Sequence, residues 1–242
     1  MNRYKLVLIT LITLLLYANN TKAQDDGSVW LSALGGLNSS WIINQNAYGN
    51  PELDYSTTFG LTGGLQYSYF FKKEWGFNGS LLASKIGQNY AGKQFEGEAD
   101  RKIKLSYVEV PLLVMRKLSG GKNPLWLSVG PDLMFLLKAK QEYGYIGPTP
   151  PETELNVGYL KTGDIKERYK PFDVGLNLGF NKMFEFQASD VAALTLSANA
   201  SLGLTDINST EWQMPDRKGE YKASHNFYIG IKAGFAFKVS KQ

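Results

Sequence analysis

The sequence predicts an all-β protein: an eight-stranded antiparallel up-and-down transmembrane β-barrel, a meander, after a cleaved signal peptide. Three observations predict it. Apolar residues alternate with period two along several segments, the polar face between them is nearly uncharged, and the connecting segments alternate long and short. The composition agrees, with 25 glycines, 14 tyrosines, 13 phenylalanines and 5 tryptophans among 242 residues, an excess suited to tightly turned, aromatic-banded strands. The chain has no cysteine, which closes the disulfide, thiolate-metal, cysteine-nucleophile and lipidated-cysteine readings. Its one histidine, His225, rules out a multi-histidine metal site.

Residues 1–23 read as a secretory signal peptide. Arg3 and Lys5 form the positive region, Leu6 to Tyr17 the apolar stretch, and Ala23 precedes the expected cleavage before Gln24. Twelve residues are too few for a helical membrane anchor, which needs about 20. Removing this leader takes Arg3, Lys5 and Lys22 and no acidic residue, so 26 basic side chains fall to 23 against 22 acidic ones. The apparent basicity disappears, and a nucleic-acid partner is not expected. Residues 24–242 are then the barrel domain, and the outer membrane is its expected location.

Within that domain the strands expected are 28–37, 57–70, 75–88, 102–117, 124–139, 171–186, 191–205 and 224–239. Along Ala192 to Leu204 all seven even positions are apolar, where a 43% hydrophobic chain would place about three by chance. The residues between them are Ala, Thr, Ser, Asn and Gly. A soluble surface would be roughly 25 to 35% charged. Small uncharged residues suit a narrow lumen instead, with the bulky face turned to hydrocarbon. Phe172, Val174, Leu176, Leu178 and Phe180 repeat the pattern against Asp173, Gly175, Asn177 and Gly179. Phe227 to Val239 does so against Asn226, Tyr228, Gly230 and Lys232, and Phe59 to Phe71 against Gly60, Thr62, Gly64, Gln66 and Ser68.

The connections hold 19, 4, 13, 6, 31, 4 and 18 residues in order, so long loops face outside and short turns the periplasm. Tyr69, Phe71, Trp75, Phe184, Phe186 and Phe237 gather at the short-turn ends, where an aromatic girdle belongs. Arg116 and Lys182 interrupt the lipid face near that boundary, where a charge costs about 0 to 1 kcal/mol.

The run Tyr107-Val108-Glu109-Val110-Pro111-Leu112-Leu113-Val114, with Ser128-Val129-Gly130-Pro131, Phe172-Asp173-Val174-Gly175, Leu202 to Ile207 and the closing strand Phe227 to Val239, resembles the PorT family of outer-membrane barrels. The resemblance spans essentially the whole mature chain. It implies an eight-stranded outer-membrane barrel and, for PorT itself, a role in type IX protein secretion. The chain departs from the usual barrel pattern in continuing past Phe237 to Gln242 instead of ending on an aromatic residue.

Several constellations could carry chemistry. Glu109 and Asp132 fall on lumen faces at similar height, and Asp173 and Lys232 share that lumen. Glu109 and Asp132 read either as an acid–base dyad, a cation site or a proton relay, or as a plug in which Lys232 pairs with the carboxylates, the plug being the expected reading. Pro111 and Pro131 remove two ladder donors at one height, which predicts a bulge or local gap there, or a lateral opening. His225 with Ser209 and Asp206 would make a hydrolase only if the fourth loop folded back. In the third external loop Tyr143, Tyr145 and Tyr159 offer contact area, and Trp41 and Trp212 in the first and fourth loops could extend it.

The function expected is a non-enzymatic envelope or interaction role with no catalytic residues, cofactor or metal, accessory to type IX secretion if the resemblance extends that far. The partners expected are outer-membrane lipids and envelope or secretion proteins met through the external loops, with the barrel itself a monomer. The alternatives are an outer-membrane lipid hydrolase or acyltransferase, and a small pore. Eight strands enclose little more than side chains, which disfavours solute transport.

Overall fold

The computed structural model describes residues 27–44, 53–94, 96–120, 123–148, 162–186, 191–213 and 219–240. The expected signal peptide lies outside them, as does Tyr159. Ten strands form one antiparallel sheet: β1 (Ser28–Ile43), β2 (Asp54–Ser56), β3 (Phe59–Lys72), β4 (Trp75–Gln94), β5 (Gly97–Lys117), β6 (Leu125–Ile146), β7 (Gly163–Asp164), β8 (Phe172–Glu185), β9 (Ala192–Gly203) and β10 (His225–Ser240). Eight long strands follow one another around a ring. The ring closes where β1 pairs with β10 from Ile43↔His225 to Val29↔Ser240. The other two are accessories, β2 on β4 and β7 on β6.

Closure follows from the orientation of the pleat. Leu65, Ile231, Phe235, Leu176 and Phe180 point away from the barrel axis and are about half exposed or more, while Ser32, Asn38, Gln66, Asn177, Thr195 and Ser201 are buried inside. A ring of leucine, isoleucine and phenylalanine side chains on the outside of a closed sheet is stable only against lipid. In lipid no backbone amide can stay unpaired, so a sheet without edges is required. Small residues make room inside. A Cβ on Gly230 would lie 2.5 Å from Asn38 Oδ1, so a larger residue there would displace the Asn38 amide.

The structure lengthens the expected strands on the external side. β1 continues through Asn38, Ser39 and Ser40 to Ile43. β4, β5 and β6 have 20, 21 and 22 residues, about twice what a crossing needs. The expected 13-residue second loop is therefore a hairpin whose ladder runs to Gln94↔Gly97. Beyond the membrane a strand need not be apolar outside, so Lys93, Glu98, Asp100 and Lys102 can occupy its outer face.

The prolines behave as follows. The β5–β6 ladder is interrupted between Pro111↔Asp132 and Val114↔Val129 without a change of register, which is a local gap. The bulge itself lies elsewhere. Ser106↔Lys138 is followed by Tyr107↔Leu136, so Leu137 is the extra residue.

At the periplasmic end Tyr69 and Phe71 pack with ring centres 5.9 Å apart. The Arg116 guanidinium lies 4.9 Å over the Trp75 ring and Lys182 Nζ 5.2 Å over Phe184. Both charges thus sit on aromatic faces at the interface, where their stems stay in the apolar zone and their heads reach water.

The orientation predicts a depth-dependent cost of charge. Ile231→Arg, halfway along β10, should destabilise the barrel by about 2–4 kcal/mol, and Phe237→Arg at the periplasmic rim by about 0–1 kcal/mol. Urea unfolding of protein reconstituted in lipid measures the difference, and equal costs at the two depths would contradict this placement.

Candidate functional site in the lumen and outer mouth

Three layers fill the barrel along its axis. At the periplasmic end Trp30, Phe70, Met115, Trp126, Met183, Ala193 and Ala236 form a buried apolar cluster, with the Phe70 and Trp126 rings 4.9 Å apart. At the outer end a larger cluster includes Ile42, Ile86, Ile103, Leu105, Tyr107, Met134, Tyr169 and Ile207. Between them lies a polar waist. β1, β5 and β6 contribute to both apolar clusters, because their inward residues recur at every second position.

Glu109 and Asp132 both lie in the waist, 1% and 0% exposed. Their common partner is Tyr228, whose hydroxyl donates to Asp132 Oδ2 at 2.9 Å and approaches Glu109 Oε2 at 3.3 Å. The same Asp132 oxygen accepts from Ser201 Oγ at 2.8 Å and from Asn177 Nδ2 at 3.2 Å. A hydroxyl carries one proton, so Tyr228 can donate to only one carboxyl at a time. The other contact is closed only by a second proton within the cluster.

The expected pairing of Lys232 with these carboxylates is not what the geometry gives. Lys232 Nζ donates to Asn199 Oδ1 at 2.6 Å. Among the described residues no carboxylate lies within 4.0 Å of it. The register explains this. Tyr228 precedes Lys232 by four residues on the same face of β10, about 13 Å along the strand, and already spans the two carboxyls.

Asp173 belongs to a separate cluster nearer the outside. Its carboxylate accepts from Thr205 Oγ1 at 2.5 Å and from Asn226 Nδ2 at 2.9 Å, and Asn226 Nδ2 also reaches the Tyr107 hydroxyl at 3.2 Å. Tyr228, Asn177, Ser201, Asn199 and Asn226 were not among the residues singled out from sequence. All lie on inward positions of strands read correctly there; what was missing was the register that brings them to one height.

Two connections cap the outer mouth. The Ser209 amide donates to the Arg168 carbonyl at 2.9 Å and the Ser209 hydroxyl to the Glu167 carbonyl at 2.8 Å. The Arg168 guanidinium lies 4.4 Å over the Trp212 ring. Asp206 is the hub of this cap, accepting from the Tyr221 hydroxyl at 2.6 Å, the Gln213 amide at 2.8 Å, and the backbone N–H groups of Asn208 and Ser224. Burial pushes its carboxyl up, but the bonds from Tyr221, Asn208 and Ser224 and the nearby Lys170 outweigh that and hold it below the usual aspartate range.

The Ser-His-Asp arrangement does not assemble. His225 Nδ1 bonds the Thr205 carbonyl at 3.0 Å, while the Ser209 hydroxyl is engaged by Glu167. The expected contact surface is also redistributed. Trp41 lies in β1 rather than in a loop, 5.5 Å from Phe227 on the neighbouring strand. Tyr143 and Tyr145 lie in β6, their hydroxyls bonded to Gln94 Oε1 at 2.8 Å and to the Pro148 carbonyl at 3.0 Å. Of the four that lie among the described residues, Trp212 stays in a connection, in a short 3-10 turn from Thr210 to Trp212.

Residues 18–209 match the family described as outer membrane protein beta-barrel domain. Among solved structures the chain is similar to Ail, the attachment invasion locus protein of Yersinia pestis, at 14% identity, covering 88% of this chain and 100% of that one with a TM-score of 0.35. It is similar to Neisserial surface protein A at 10% identity, with the same coverage and a TM-score of 0.41. A third is the N-terminal β-barrel domain of Pseudomonas aeruginosa OprF, at 11% identity, 88% and 100% coverage and a TM-score of 0.32. No curated protein matches the sequence. At these identities and scores the family match, not the structural neighbours, carries the assignment.

Tyr228→Phe keeps the ring and removes the hydroxyl from two buried carboxyls, so it should lower unfolding stability by about 1–3 kcal/mol. A change within error in urea titration would contradict the bridging role. Because the folded Asp206 carboxyl sits below its unfolded value of about 3.9, its contribution is complete above that pH and is lost as pH falls through the lower folded value. Amide exchange at Asn208 and Ser224 should therefore, after correction for intrinsic rates, quicken only below about pH 4, and Asp206→Asn should remove that dependence.

Proposed function

From the premise that the chain belongs to the outer membrane protein beta-barrel domain family and resides in the outer membrane, we propose that it is a non-enzymatic envelope protein of PorT-like type, accessory to type IX secretion. It acts through its external surface, not through its lumen. The observation that carries this reading is the filled barrel. Among the described residues, two buried apolar clusters stand above and below a hydrogen-bonded waist and place apolar side chains across the lumen at both ends. Solute transport would need a continuous polar path.

The polar waist fits a plug for the same reason, one bridged by Tyr228 in place of the expected Lys232 ion pair. Glu109, Asp132, Asn177 and Tyr228 are at most 1% exposed, so a substrate has no access to them. A hydrolase reading would need His225 beside an available serine, and His225 is turned to the Thr205 carbonyl. The external extension of β4, β5 and β6, with Tyr143 and Tyr145 on its last strand, supplies a rigid surface on which other envelope proteins can dock. The secretion role itself rests on the sequence resemblance around Tyr107 to Val114 and Phe172 to Gly175.

Reconstituted into planar bilayers, the protein should show no conductance steps above leak, and well-defined steps would favour a pore. Deleting the gene should lower the amount of type IX cargo outside the cell, and the wild-type gene should restore it. Unchanged cargo in the deletion would remove the secretion role while leaving the barrel assignment intact.

A further inference from the structure

The outer face of β4, β5 and β6 changes character within one row of the sheet. The row Ala83↔Val108↔Phe135 is apolar. The next three rows outward are Lys85↔Ser106↔Lys138, Gly87↔Lys104↔Lys140 and Asn89↔Lys102↔Glu142. Five lysines thus stand in a grid directly above the lipid-facing band.

The bulge at Leu137 creates this grid. Below it the outward positions of β6 are Leu133 and Phe135; above it they are Lys138, Lys140 and Glu142, with Ala139 and Gln141 buried. Without the extra residue the pleat would send Lys138 and Lys140 into the lumen. Gly87 contributes a second irregularity. Its φ is +151°, its N–H and C=O both bond the Ser40 hydroxyl of β1 at 3.1 Å, and a Cβ there would meet the Ile103 carbonyl. Around this point lies a groove of about 680 Å³, whose lining includes Lys85, Lys104, Lys138 and Lys140 with Phe59 and Leu61 beside them.

Lys104 is paired with Glu142, and Lys102 with Asp100 at 3.2 Å. Lys85, Lys138 and Lys140 have no carboxylate within 4.0 Å among the described residues. Lys140 stands directly opposite Lys104, whose own charge Glu142 offsets, so Lys140 is left to an anion from outside the sheet. Phe59 and Leu61 are 73% and 61% exposed, an apolar surface continuous with the lipid band. A ligand that fits must be anionic at its head and apolar in its tail, and must sit at the outer boundary of the membrane.

We propose that this groove binds a phosphorylated glycolipid of the outer leaflet, its phosphates on Lys85, Lys138 and Lys140 and its acyl chains along Phe59 and Leu61. The site depends on the outer-membrane location and not on the secretion role. Lysine suits the task because its flexible stem follows a lipid that moves in the plane, and ammonium pairs with phosphate as a point charge.

The test uses the refolded mature protein in phosphatidylcholine nanodiscs doped with bisphosphorylated lipid A or with the same lipid stripped of its phosphates. Native mass spectrometry counts the lipid retained. Three screened lysine–phosphate contacts should give about tenfold greater retention of the phosphorylated lipid, and Lys85→Gln with Lys138→Gln and Lys140→Gln should abolish the difference. Inorganic phosphate at about the same concentration should not displace the lipid, since it lacks the apolar contact. Equal retention of the two lipids by the unmutated protein would overturn the proposal whether or not the triple variant folds. So would a folded triple variant that keeps the preference, or displacement by phosphate alone, which would mark a site for small anions.

Discussion

Hydrocarbon offers no hydrogen-bond partner, and that single fact governs this fold. Every N–H and C=O in the apolar band must find its mate within the protein, which the ring of ladders from β1 through β10 and back to β1 provides, with the local gap beside Pro111 and Pro131 as its interruption. The seam between first and last strands, 15 paired positions long, is the decisive element, because without it two strand edges would lie open in lipid. Outward bulk and inward smallness are consequences: leucine and phenylalanine gain from lipid contact, and glycine, serine and asparagine fit where eight strands converge.

The lumen shows how a narrow barrel handles polar groups it cannot hydrate. The waist joins Glu109, Asp132, Tyr228, Ser201 and Asn177 in direct contacts. Aromatic and aliphatic clusters then shield it from both sides. Above the lipid the strands continue as an external platform stiffened from within by Arg101, whose guanidinium lies 4.5 Å over Tyr90. The connections after β6 and β9 fold over the mouth around Asp206.

Much of this was legible in the sequence. The alternation from Ala192 to Leu204 and from Phe227 to Val239 gave strand positions within about two residues and the correct outward face. The external ends were not legible for a physical reason. Alternation reports lipid on one side, and once a strand leaves the membrane both faces tolerate polar residues, so Asn89 to Gln94 and Gly97 to Arg101 read as loop although they are ladder-paired. Asn38-Ser39-Ser40 has the composition of a turn, yet Asn38 and Ser40 simply face the lumen. The candidate lumen residues Glu109, Asp132, Asp173 and Lys232 are all inside the barrel. Their partners depend on the register, which a bulge at Leu137 shifts on one strand and which composition does not reveal.

The orientation of the pleat can be tested directly, because the chain contains no cysteine and any single cysteine introduced would carry a spin label without background. Labels at Leu65, Leu202 and Ile231 in reconstituted bilayers should be relaxed strongly by oxygen and weakly by a polar nickel reagent, whereas labels at Gln66, Asn177 and Thr195 should be shielded from both. The reverse pattern, with the bulky positions protected and the small polar ones open to lipid or water, would contradict the account at its root.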